Sequence, residues 1–248
     1  MAVESDYGKM HYQIRMSDEF KKVPKKYHPK GFEILHEDPD VIVGNKATGA
    51  LTVSALWNKD DTIQSALDHY IQKGNAKSQK CVYVVHRLDQ ATSGVLMFAK
   101  TENAQQFLKN DWKATVKTYY AIVHGKLKNK SGIFSSNLVE DEDYVVQSTD
   151  DPEKGKLAQT EYTVVKETAF FSVVKINLLT GKKNQIRVHF SENGNPVVGD
   201  QKYGKPSKQK ELFLHAFAIV FTHPFSKKRI RVQAPIPTYF EKLVNYGY

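Results

Sequence analysis

The nine residues His86-Arg87-Leu88-Asp89-Gln90-Ala91-Thr92-Ser93-Gly94 bring an imidazole, a guanidinium and a carboxylate together beside a turn of small residues. A carboxylate in such company can take a proton, attack an electron-poor carbon or stabilise a positive centre. The plainer alternative is a turn cap, because Asp readily accepts hydrogen bonds from nearby backbone amides, here those of Thr92-Ser93-Gly94. The local residues alone leave both readings open.

The flanking elements must hold that carboxylate in place. Cys81–Val85 and Val95–Ala99 are rich in β-branched and aromatic residues and read as buried strands. Asp89 therefore falls at a strand end, where rigid elements present loop residues for chemistry. Val41–Val43 reads as an early strand. Thr118–Val123 and Gln159–Val165 alternate as strands, and Phe170–Leu178 is a longer one that stops at Gly181. Ala216–Phe221, the most apolar window, has strand length. Thr62 is the expected cap of a helix with Ile63, Ala66, Leu67, Tyr70 and Ile71 on one face and Gly74 at its end. Thr101 caps a second helix expected to reach Trp112; Gln185–Phe190 reads as a short helix, and Pro237 opens a last one. Strands outnumber helices without regular alternation. This predicts an α+β fold with a mixed, mostly antiparallel central sheet and flanking helices. Residues 1–30, with Pro24 and Pro29 and little periodicity, read as an N-terminal extension, and residues 31–248 as one domain.

Composition narrows the classes of function. The 248 residues are 40% hydrophobic and 25% charged, ordinary for a globular domain with a sizeable core. No apolar run approaches the ~18 residues of a membrane helix, and the first residues show no secretory signal. Cys81 is the single cysteine, which excludes an internal disulfide and a cysteine metal cluster. The nine histidines show no HxxxH or HxxEH spacing. Cytoplasm is the default compartment. The net charge of +9 suits a polyanion such as RNA, since phosphate contacts supply most non-specific affinity. The basic residues cluster at Lys205, Lys208 and Lys210, at Lys227, Lys228, Arg229 and Arg231, and at Lys182 and Lys183. The acidic run Glu140-Asp141-Glu142-Asp143 is expected on a solvated loop away from nucleic acid.

The segment His86 to Lys100 resembles the HRLDxxTSGxxxxAK signature of the RluA-type pseudouridine synthases. Further segments resemble the same family in the same order. They are Ile34–Lys46, Lys117–Gly125 (KxYxAxVxG), Leu179–His189 (TGRxHQIRVH), Gly194–Asp200 and Leu214–Ala216. The resemblance runs from about Gly31 to the C-terminus. It implies the pseudouridine synthase catalytic fold and an isomerase that converts specific uridines in ribosomal or transfer RNA to pseudouridine. Thirty preceding residues are too few for the separate S4-type domain that many members carry, so the chain resembles the shorter branch.

By that resemblance Asp89 matches the catalytic aspartate. Whether it attacks the sugar, attacks the base or abstracts a proton is not legible in sequence. Arg187 matches the arginine that would favour the charged form of Asp89 in a closed pocket. Tyr119 matches an active-site tyrosine able to stack on an extruded uracil; Tyr120, facing the other way, is the better core candidate. Arg87 would fill the space left by the flipped nucleotide, its alternative being an ion pair with Asp89. His86 is expected to support the turn. His86, Arg87, Thr92, Lys182, Lys183, Asn184, Gln185 and His215 form the implied RNA-contacting set. No cofactor and no metal are implied, and a monomer is expected.

Two departures stand out. The family's NKPxG reads Asn45-Lys46-Ala47-Thr48-Gly49 here, and loss of the proline is expected to loosen a turn. The Arg-Thr-His of the third motif reads Lys182-Lys183-Asn184, which keeps a basic residue but not a bidentate arginine. Two other functions compete. One is a catalytically inactive RNA-binding or RNA-folding module on the same fold. The other is a glycoside-type hydrolase, which requires a second positioned carboxylate.

Overall fold

The computed structural model describes residues 15–16, 24, 28–55, 58, 60–75, 77–151, 153–206 and 209–246, so the expected extension over 1–30 lies almost wholly outside the described residues. In chain order the strands are β1 (Arg15–Met16), β2 (Phe32–Glu37), β3 (Val41–Lys46), β4 (Tyr83–Val84), β5 (Ser93–Ala99), β6 (Val116–His124), β7 (Ser131–Glu140), β8 (Val146–Thr149), β9 (Lys156–Glu167), β10 (Phe171–Leu178), β11 (Leu214–Thr222) and β12 (Arg229–Gln233). The helices are α1 (Ile63–Gln72), α2 (Glu102–Asn110), α3 (Gln185–Glu192) and α4 (Thr238–Tyr246). All twelve strands join one sheet, ordered β2-β3-β5-β11-β6-β10-β9-β7-β8, with β12 and β1 beyond β11 and β4 on β5. Among the described strands, β5–β11 and β1–β12 are the parallel pairs. The fold is the expected α+β arrangement, mixed and mostly antiparallel.

Alternation along β3 and β5 builds a core on each face. Val41, Val43, Val95 and Met97 pack on one side with Leu108 of α2 and Phe221 of β11. Ile42, Leu96 and Phe98 pack on the other with Leu67 of α1, Phe190 of α3 and Phe240 of α4. Every residue of β5 is buried, which is why its sequence is an unbroken run of apolar and small residues. The loop before β5 is thereby anchored to the most buried strand. Gly94 completes the anchoring: its φ is 111° and an added Cβ would stand 2.2 Å from the Ala216 carbonyl oxygen of β11, so only glycine fits.

Several expectations change. Helix caps fall where expected: the Thr62 hydroxyl accepts from Ser65 N–H at 3.1 Å and Thr101 from Ala104 N–H at 3.1 Å. The second helix ends at Asn110 rather than Trp112, because Trp112–Ala114 tightens into a 3-10 turn. That turn sets the Trp112 ring against His86, 4.8 Å between centroids. The expected strand over Cys81–Val85 shrinks to the two residues of β4. Just beyond it the Nε2 of His86 accepts the Met97 N–H at 3.1 Å, taking the place of a ladder carbonyl. The Lys227–Arg231 cluster is partly β12, a strand that its charges conceal. Glu140 is the last residue of β7 rather than part of a remote loop, and it pairs with Lys183 of the third motif.

Candidate active site

Asp89 sits in the loop between β4 and β5, fastened from behind by three anchors. The Thr52 hydroxyl donates to the Leu88 carbonyl at 2.9 Å and accepts the Leu88 N–H at 3.3 Å. The Asp89 carbonyl accepts from Thr92 N–H at 3.1 Å, closing the turn. Lys46, fully buried, donates its ammonium to the carbonyls of Ala47, Ala50 and Gln90 at 2.9, 2.8 and 3.0 Å. Burial lowers the Lys46 pKa to about 7, opposed by the charge of Asp89. Ala47, which stands where the family has proline, donates its N–H to the Gly31 carbonyl at 2.9 Å. Proline has no such donor, so a hydrogen bond stands in the turn expected to be loose.

The Asp89 side chain does not cap its own turn. Its Oδ2 accepts from Nη1 of Arg187, 98 positions away in the sequence, at 3.1 Å. Arg187 comes from the first turns of α3. Its Nε and Nη2 donate to Oδ2 and Oδ1 of Asp200, both at 2.8 Å. Nη1 also reaches Oδ1 of Asn184 at 3.2 Å, and the guanidinium lies 5.2 Å from the centre of the Tyr203 ring. Asp200 is itself held by the N–H groups of Lys202 and Tyr203, at 2.9 and 3.0 Å. Burial pushes the Asp200 carboxyl up, but Arg187 and those amides outweigh it and hold it below the usual carboxylate range. The same pairing raises Arg187 against the opposing effect of burial. Gly199 allows the approach: a Cβ there would lie 1.8 Å from the Glu211 carbonyl oxygen.

Above this charge relay opens a cavity of about 520 Å³. Its walls include Asp89, Arg187, Tyr119, Lys117 and Trp112, with loop residues Leu51–Ala55 along one rim. Asp89 is the only carboxylate among the lining residues, and its Oδ1 has no hydrogen-bond partner among the described residues. Tyr119 is buried, 9% exposed, and forms both wall and core, whereas Tyr120 is the more exposed of the two and packs edge-on against Phe217. Burial, with the nearby charge of Asp89, pushes the Tyr119 phenol well above its ordinary range, so it stays protonated.

The implied RNA-contacting residues separate into three groups. Arg87, Lys182 and Lys183 stand exposed at the cavity. Arg87 forms no ion pair with Asp89, whose Oδ2 is taken by Arg187. Thr92, Asn184 and His86 line the wall. Burial, with the charge of Lys117, lowers the His86 pKa to about 3. Gln185 and His215 are buried, 2% and 0% exposed, and Gln185 borders the cavity. Gln185 spends its amide on Thr180, Lys182, Gln159 and Thr160. His215 faces the Ser93 hydroxyl at 2.9 Å behind the turn, and burial lowers its pKa to about 4. Lys46, Lys117, Trp112 and Asp200 were not singled out in the sequence. Only Lys46, Lys117 and Asp200 lie in motifs that marked them as more than surface charges.

Outside the cavity, Asp38, Asp40 and His223 bring potential ligand atoms within 4.8 Å of one another, at the opposite end of β3. His223 Nδ1 accepts the N–H groups of Phe225 and Ser226, so its Nε2 carries the proton and donates to Asp38 at 3.0 Å. The trio is a hydrogen-bonded cluster with that nitrogen occupied. No helix among the described residues is long and apolar enough to cross a membrane.

Residues 40–192 match the family described as RNA pseudouridylate synthase. The "uncharacterized RNA pseudouridine synthase MG209 homolog" of Mycoplasma pneumoniae is 33% identical over 243 residues, covering 94% of this chain and 77% of that protein. The ribosomal large subunit pseudouridine synthase D of Blochmanniella floridana is 33% identical over 227 residues, covering 82% and 69%. Human RNA pseudouridylate synthase domain containing 4 superposes with a TM-score of 0.70 at 23% identity, over 84% of this chain and 90% of that one.

Proposed function

We propose that this chain, which belongs to the RNA pseudouridylate synthase family and is an RNA pseudouridine synthase, isomerises specific uridines of ribosomal or transfer RNA, with Asp89 as its catalytic carboxylate. The observation that carries the reading is the Arg187–Asp89 contact at 3.1 Å in the cavity, with Oδ1 left open. Isomerisation breaks the N1–C1′ bond of uridine, forms C5–C1′, releases the C5 proton and returns one to N1. Nothing is oxidised and no group is consumed. The sugar carbon becomes electron-poor as the base departs, and the open Asp89 oxygen is the anion placed to meet it. Arg187 occupies the other oxygen with a charge-assisted hydrogen bond and so fixes the direction of the open one.

In this reading the target nucleotide leaves its stack, because N1 and C1′ are closed off within a helix. Tyr119 presents its ring to the uracil and its protonated hydroxyl to a proton in transit. Arg87 enters the vacated space, and Lys182 and Lys183 meet phosphates at the mouth. Residues 31–248 form the catalytic domain, and the protein works as a cytoplasmic monomer without a cofactor. Hydrolysis of a glycoside is disfavoured because no second carboxylate among the described residues lines the cavity, and Asp200, the other carboxylate on Arg187, has both oxygens bonded to it. Mapping pseudouridine across total RNA with and without the gene tests the proposal. Loss of one or a few sites supports it, and an unchanged map rejects it.

A further inference from the structure

Two donors on one wall of the cavity have no acceptor. Lys117 is 7% exposed, yet among the described residues its ammonium makes no hydrogen bond and no ion pair. It lies 5.2 Å from the centre of the Trp112 ring. The His86 ring lies tilted against the same tryptophan, 4.8 Å between centroids. Because its Nε2 accepts the Met97 N–H, the neutral ring carries its proton on Nδ1. That Nδ1–H likewise has no partner among the described residues. Both polar atoms reach the cavity rather than being sealed in the core, so an arriving acceptor can meet them, and an ammonium held on a mostly covered side chain gains more from such a partner than one in open water. Arg87 and Lys182, exposed at the mouth, are hydrated and gain less.

We propose that His86 Nδ1–H and Lys117 Nζ, gathered on the Trp112 ring, form a site for the phosphate of the nucleotide whose base lies against Tyr119. Lys117 and Tyr119 are two positions apart on β6 and share a face, which separates them by about 7 Å along the strand. That places a base at Tyr119 and its own phosphate at Lys117 within one nucleotide's reach. The site offers only donors, which suits an anion with several acceptor oxygens. A uracil carbonyl could occupy one donor but would leave the second idle and the charge unmatched. Burial lowers the Lys117 pKa, and an arriving phosphate would oppose that shift. The nucleotide's identity as a uridine rests on the proposed function; the anion site rests on the wall itself.

The test is direct binding of uridine, uridine 5′-monophosphate and uridine 3′-monophosphate to the full chain. A Trp57→Phe background leaves Trp112 as the single tryptophan reporter. One monophosphate should bind about tenfold tighter than uridine and change Trp112 fluorescence. Lys117→Met should abolish that preference while leaving uridine affinity unchanged, Lys117→Arg should keep it, and Lys228→Met, outside the cavity, should keep it in full. Thermal melting of each variant checks folding, and Lys117→Gln replaces the Met variant if that one does not fold. Monophosphates that bind no tighter than uridine, or a preference that survives loss of Lys117, would overturn the proposal. Equal weakening of uridine by Lys117→Met would assign Lys117 to the base and also overturn it. An isomerisation assay on the same wild-type preparation separates the two readings. Activity without a phosphate preference rejects this site alone, and a preference without activity rejects the catalytic reading alone.

Discussion

Asp200 grips Arg187 at both Nε and Nη2, 2.8 Å each, and so leaves Nη1 as the one guanidinium nitrogen pointed at Asp89. The buried carboxylate fixes the arginine, and the arginine fixes the half-buried carboxylate in the cavity. Asp200 thus acts as a positioning residue that never touches the cavity.

Asp200→Asn should therefore affect two readouts. Removing the more buried of its two carboxylate partners leaves Arg187 with Asp89 alone and should cost about 3 kcal/mol of stability. With Nη1 no longer aimed, turnover should fall strongly while RNA affinity changes little. Thermal unfolding and single-turnover kinetics on one preparation check both. Unchanged turnover in a folded variant would show that Arg187 does not need this grip.

His86 supplies a pH signature. Its pKa of about 3 lies below the ordinary 6.5, so between those values the unfolded chain binds a proton that the native ring refuses. The stability tied to the neutral ring is whole above pH 6.5 and declines as the pH falls toward about 3. Burial is the main cause, with the charge of Lys117 beside it, and a protonated Nε2 could no longer accept the Met97 N–H. Gln retains an acceptor without titrating. The stability difference between wild type and His86→Gln should shrink below pH 6.5 by about 1.4 kcal/mol per pH unit. A difference that stays flat down to pH 4 would contradict the assignment.

The paired lysines of the third motif should differ. Lys183 is already neutralised by Glu140 at the end of β7, whereas Lys182 is exposed without an ion pair among the described residues. Lys182→Gln should flatten the slope of log affinity against log salt by about 1, and Lys183→Gln by clearly less. Glu140→Gln should free Lys183 and tighten RNA binding. Equal slopes for the two lysine variants would show that Glu140 gives way when RNA arrives.

These relationships were unequally legible in the sequence. Asp89, Tyr119 and Arg187 lie in long motifs of mixed residue types, and the capped helices at Thr62 and Thr101 carry local signals. The β7–β8 pair was not apparent because its strand residues are half-exposed, with Ser135, Ser136 and Asn137 in the middle of β7. Such a strand lacks the apolar alternation that reveals a buried one. The Lys46 anchor reaches a carbonyl 44 positions away, and Asp200 meets Arg187 only after the chain turns at Gly199. The fate of Gln185 and His215 was likewise set by packing: both sit in motifs that resemble RNA-facing ones, yet tertiary contacts consume them. Trp112 looked like the end of a helix until its ring was seen to gather His86 and Lys117.

The central claim is that Asp89 performs the chemistry, and Asp89→Asn tests it most directly. Asn keeps the size and remains a competent turn residue, so stability should change by about 1 kcal/mol or less. RNA affinity should stay near that of the wild type, because Arg87, Lys182 and Tyr119 are untouched. Conversion of uridine to pseudouridine, measured on the same folded preparation, should fall below detection. A folded Asp89→Asn protein that still forms pseudouridine would contradict the account.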